Sequence, residues 1–133
     1  MLAHKIKKMK ILNYWRIALW LLIMCYLLFM PASQLPAKPF LKIPHFDKIV
    51  HFSMFFILCL LLFRPVKQHT SNFYFWTPLI AILMAVVLEF TQHRISASRH
   101  TDVMDFLANT AGLLTATIFF RYFVAGKFME KLV

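Results

Sequence analysis

Four apolar stretches set the pattern of this chain, residues 14–30, 49–63, 73–90 and 103–124, each bounded by short polar segments. Within them apolar positions follow one another without the alternation of a lipid-facing β-strand, which argues against a membrane barrel. A helix needs about 20 residues to cross the hydrocarbon of a bilayer, where backbone groups must find their partners internally. The pattern predicts transmembrane helices over residues 14–30, 47–64, 73–92 and 102–124. The second stretch reaches that length only if its helix begins at Asp47, and Pro65 marks its expected end. Pro78 falls in the early turns of the third, where a missing N–H does least harm. The linkers are short and no internal repeat is visible, so residues 1–133 read as one domain. The expected fold class is all-α: a polytopic membrane protein, a compact bundle of four transmembrane helices.

Composition strengthens this reading. The chain is 61% hydrophobic and 15% charged, whereas a soluble domain carries roughly 45–50% apolar and about 25% charged residues. The net charge of +10 would suit nucleic acid, but the 15 Lys and Arg are scattered among the flanks of the apolar stretches and form no basic stripe. No nucleic-acid partner is expected. Cys25 and Cys59 lie inside apolar stretches without metal-ligand spacing. The first stretch has a rival reading as a signal peptide after Lys5, Lys7, Lys8 and Lys10. It is longer than the usual apolar region of about 7–15 residues and lacks an Ala-x-Ala site, which favours an uncleaved helix.

Orientation follows from the flanking cations. With the N-terminus cytoplasmic, Lys5, Lys7, Lys8, Lys10, Arg16, Arg64, Lys67, Arg121, Lys127 and Lys131 lie inside, against Lys38, Lys42, Lys48, Arg94 and Arg99 outside. Both termini are therefore expected on the cytoplasmic side of the cell membrane. Threaded this way, Asp47, Glu89, Asp102 and Asp105 arrive at the outer face, as do Lys48, His51, Gln92, Arg94, Arg99 and Asn109. Asp47 and His51 are i,i+4, Glu89 and Gln92 are i,i+3, and Asp102, Asp105, Asn109 and Gly112 run down one helical stripe. Ionisable groups at this depth are costly against lipid and are expected to face the bundle interior. Ala108, Gly112 and Ala116 have the small-xxx-small spacing that allows close helix approach. The plainer alternative makes Asp47, Asp102 and Asp105 helix-start acids and Glu89 a loop partner of Arg94 or Arg99.

The same residues carry a family pattern. D-K-I-V-H-F at residues 47–52, E-F-T-Q at 89–92, Arg99 and D-x-x-x-N-x-x-G at Asp105, Asn109 and Gly112 resemble VanZ-like proteins, with Asp102 at a commonly acidic or polar place. The resemblance implies a compact four-helix membrane domain, named for a protein associated with teicoplanin resistance, for which a relationship to lipid-head-group enzymes has been proposed.

The leading expectation is a polar cluster that binds, and as an enzyme would modify by phosphoester chemistry, a phosphate-bearing lipid head group or lipid-linked cell-envelope precursor. His51 is the candidate nucleophile or base, Asp47 orients it, and Glu89 and Asp105 handle protons. Lys48, Gln92, Arg94, Arg99, Asp102 and Asn109 are the candidate substrate-binding set, with arginine suited to phosphate. No H-E-x-x-H or comparable spacing is present, so no metal is assigned, and no cofactor is named. The partners are membrane lipids or the lipid-linked precursor, with homo-oligomerisation left open. The alternative is a non-catalytic protein whose cluster is a structural ion-pair network and which acts through partner helices. Transport fits poorly, since four short helices without inverted repeats lack the usual alternating-access design.

Overall fold

A computed structural model of the chain describes residues 2–30, 45–95 and 103–131. Four helices account for most of it: α1 (Leu2–Phe29), α2 (Phe46–Lys67), α3 (Phe73–Ile95) and α4 (Val103–Phe119). α4 runs on through a π-helical turn (Phe120–Val124), and a 3-10 turn (Phe128–Lys131) follows. No strand occurs among the described residues. α2, α3 and the run Val103–Val124 are 22, 23 and 22 residues long and apolar enough to cross a membrane, while the apolar part of α1, Tyr14–Phe29, is shorter. At 1.5 Å per residue each of the three spans about 33 Å, enough for the hydrocarbon layer.

α2 is the central element, packed against α4 most extensively and also against α3 and α1. Its neighbours fix the directions. Lys48, His51, Cys59 and Lys67 of α2 meet Asp105, Asn109, Thr117 and Glu130 in that order, so α2 and α4 run parallel. The Gln92 amide of α3 reaches the Leu28 carbonyl at the end of α1. The starts of α2 and α4 thus share one end of the bundle.

The interior is apolar, built on Met24, Met54, Phe55, Leu58, Cys59, Leu113 and Ala116. Small residues on α3, Ala81 and Ala85, let that helix lie close. At the end away from the start of α2, Phe63 stacks on Phe120 with centroids 4.1 Å apart, and Phe73 and Tyr74 close around them. The outer surface is equally apolar: Leu22, Tyr26, Leu83, Val87, Leu107 and Ile118 are all largely exposed. Only 17% of the apolar window of α3 is buried inside the bundle, against 44% for α2. In water such a surface would drive aggregation; in lipid it costs nothing.

Several boundaries differ from the expected ones. α1 begins at Leu2 rather than residue 14, because its basic start is made of good helix formers. Pro65 does not end α2, which continues to Lys67. A proline deprives only the carbonyl four residues back of its donor, and in a last turn that loss is small. The helix stops where His69 Nδ1 donates to the Pro65 carbonyl at 2.7 Å and its N–H to that of Val66. α3 runs on to Ile95.

Candidate functional site

The site is assembled by a single close approach. Gly112 of α4 lies so near α2 that a Cβ there would fall 2.4 Å from the Phe52 carbonyl oxygen and 3.1 Å from the Phe56 nitrogen. With the backbones in contact, the parallel register does the rest. One turn towards the helix starts, Asn109 meets His51; a further turn on, Asp105 meets Lys48. Glycine is required because any side chain would push the two helices apart.

α2 starts at Phe46 after His45, an N-cap in the left-handed region at φ 65° that gives no side-chain cap. Asp47 is therefore the second helical residue, not the cap, and its carboxylate lies at the positive end of the helix. It is the rim of the site, with 53% of its side chain exposed, while Lys48 (24%) and Asp105 (13%) lie deeper and His51 (2%) forms the floor. The Lys48 ammonium is bonded to the Asp105 carboxylate and stands 3.7 Å from that of Asp47. Asn109 Oδ1 lies 3.1 Å from His51 Nδ1. With a carboxamide oxygen facing it, Nδ1 is the donor, which leaves Nε2 for the groups at the rim. That nitrogen points to the Asp47 carboxylate at 3.9 Å. The Asn109 Nδ2 group is buried without a hydrogen-bond partner. Glu89 of α3 is half-buried and within electrostatic reach of His51, Asp105, Lys48 and Asp47.

The helices thus bring together Asp47, Lys48, His51, Glu89, Asp105 and Asn109 from three elements. Two other candidates are engaged elsewhere. The Gln92 Nε2 donates to the Leu28 carbonyl at 2.9 Å, filling an acceptor left open at the end of α1. Arg94 is exposed, and its guanidinium lies over the Phe90 ring at 5.1 Å. Arg99 and Asp102 lie outside the described residues.

The arrangement can accept a proton at His51 Nε2, relay it to Asp47, and bind a polar group at the rim. Asp47, His51 and Asp105 each offer a ligand atom, all within 4.8 Å of one another, which is close enough for one metal ion. The Lys48 ammonium bonded to Asp105 already supplies a fixed positive charge there. Among the described members three carboxylates face one lysine, so the cluster favours a cationic or hydroxyl-bearing group over a bare phosphate. The reading from sequence also passed over Glu130, whose signal was being the lone acid among the cations of the other flank.

The VanZ/LLP1 family model matches residues 8–125, which takes in α2, α3, α4 and every member of the cluster, and the chain belongs to that family. No curated protein and no solved structure matches it.

Proposed function

We propose that this VanZ/LLP1-family membrane protein uses the cluster at the start of α2 and α4 to engage the polar head of a membrane lipid or lipid-linked cell-envelope precursor. The observation that carries the proposal is the state of His51: a ring 2% exposed, held through Nδ1 by Asn109, with Nε2 aimed at a half-exposed carboxylate. Burying such a group among charges is expensive and is typical of functional membrane sites. In this reading the chain crosses the bilayer four times with both termini cytoplasmic, and the cluster lies at the extracytoplasmic boundary. A head group enters over Asp47. His51 Nε2 takes a proton from a hydroxyl or water there, Asp47 steadies the imidazolium, and the positive ends of α2 and α4 face the developing negative charge. Arg94, exposed in the last turn of α3, is the described cation proposed for the phosphate of the same head group.

A second reading has a specific observation behind it. The pairs Lys48–Asp105 and His51–Asn109 both join α2 to α4, as a purely structural lock would. Lipid mass spectrometry of cells that lack the gene, or express wild type, His51→Ala or Asp47→Asn, separates the two. Head-group chemistry predicts that both variants accumulate as folded protein, Asp47→Asn melting near wild type and His51→Ala lower for its lost buried ring, while their lipid and precursor profile matches the deletion. Asp47→Asn matters most because its exposed side chain contributes little to folding. A profile identical in deletion and wild type would refute the proposal, and loss of folded protein in both variants would favour the lock.

A further inference from the structure

The opposite end of the bundle holds a second polar cavity of about 530 Å³, between the end of α2 and the turn after α4. Arg64, Lys67, Gln68, Gly126, Lys127 and Glu130 line it. Three cations face one carboxylate there, the reverse of the balance at the His51 cluster.

The carboxylate shows how the cavity treats an oxyanion. Glu130 Oε1 accepts from the Lys67 ammonium at 2.5 Å, and Oε2 accepts from the Gly126 N–H at 2.7 Å. An ammonium on one oxygen and a backbone donor on the other is the arrangement proteins use for phosphate. The local backbone is built for it. The π-helical turn closes with the Ala125 N–H on the Phe120 carbonyl at 2.8 Å, and the chain then turns at Gly126, whose φ of 72° brings the following residues back so that Glu130 meets the Gly126 N–H. Nothing lies within 4 Å of where a Gly126 Cβ would stand, so the space beside this residue is open, while its N–H is taken by Glu130. The Lys127 ammonium is held at the rim by the Tyr122 carbonyl at 3.0 Å.

The surroundings indicate where the anion comes from. Tyr122, Phe123, Phe128 and Met129 are 64%, 56%, 73% and 44% exposed beside these cations. Exposed aromatic and apolar side chains interleaved with lysine and arginine are the composition of a surface lying at a membrane interface. Basic pockets between transmembrane helices bind anionic head groups. A surface salt bridge alone would account for Lys67 and Glu130 but not for an open cavity whose wall carries two further cations, Arg64 and Lys127.

We infer that this cavity is a binding site for the phosphodiester of an anionic phospholipid, gripped by Arg64, Lys67, Lys127 and the Gly126 N–H, and that Glu130 occupies it as an internal competitor. The site does not depend on the chemistry proposed for the His51 cluster.

The test is thermal unfolding of the detergent-purified full chain titrated with phosphatidylglycerol, phosphatidylcholine or inorganic phosphate. Phosphatidylglycerol should raise the melting temperature and phosphatidylcholine should not. Lys127→Gln should raise the half-saturating phosphatidylglycerol concentration about five-fold, the usual share of one interfacial cation. Glu130→Gln should lower it, because the competitor loses its charge while the other groups remain. Both readings expect Glu130→Gln to melt lower without lipid, but a pure latch predicts an unchanged lipid response. That result, equal shifts with both lipids, or a shift reproduced by inorganic phosphate alone would overturn the inference. His51→Ala should respond to phosphatidylglycerol as wild type does, so failure here and failure at the other cluster are distinguishable.

Discussion

Glu130 gives the clearest pH signature of any single residue. Its carboxyl is held below the ordinary value of 4.5, first by the hydrogen bond from Lys67, with the Gly126 N–H and the charges of Lys67 and Arg64 adding to it while partial burial works against it. A carboxyl with a depressed folded pKa lets the unfolded chain bind more protons as pH falls, so the stability it contributes is present above about pH 4.5 and is lost as pH drops through the folded value. Melting curves of wild type and Glu130→Gln should therefore differ near neutrality and converge in acid, and a gap that stays constant down to about pH 3 would contradict the assignment. At this scale the sequence was legible where partners share a helix, as with Asp47 and His51, because i,i+4 spacing alone brings them together. It was not legible for Gln92, whose partner is a backbone carbonyl of another helix, nor for Arg94, which lies on the Phe90 ring of its own.

Among the helices, the α2–α4 seam decides whether a site exists. Replacing Gly112 by alanine would set a methyl group 2.4 Å from the Phe52 carbonyl, and backbone cannot step aside as a side chain can. The helices must separate, at a cost of about 1–3 kcal/mol for overpacking, and the separation pulls Asn109 away from His51. Gly126→Ala is the matched control: it meets no atom within 4 Å and pays only for its positive φ, about 1 kcal/mol. Thermal unfolding should rank Gly112→Ala as the more damaging, and only Gly112→Ala should also abolish the lipid phenotype assigned to His51. The small-xxx-small spacing of Ala108, Gly112 and Ala116 pointed to this contact before any coordinates. Helix number and centres were legible too, since apolar length is set by the bilayer. The ends were not: Pro65 is tolerated inside α2, and the π-helical turn after Phe119 leaves no mark in the hydropathy pattern.

For the molecule as a whole, the two polar ends are opposite in character, and this follows from the path of the chain. Parallel α2 and α4 put their starts, with Asp47 and Asp105, at one end and their terminal cations, Arg64, Lys67 and Lys127, at the other. The sequence foretold this polarity because it depends only on the direction of each span; it could not foretell that Lys48 would face three carboxylates, which depends on helix rotation. Which end faces the cytoplasm rests on the distribution of Lys and Arg, and cysteine labelling can read it directly. Ser71 in the α2–α3 turn and His93 near the end of α3 are both exposed and belong to neither polar cluster, while Cys59 is buried and Cys25 half-buried in apolar helices. In intact cells a membrane-impermeant maleimide should label His93→Cys at once and Ser71→Cys only after permeabilisation, with wild type as the background. The reverse pattern would turn the His51 cluster towards the cytoplasm, and any lipid-linked precursor it handles would then have to be one presented on the inner leaflet.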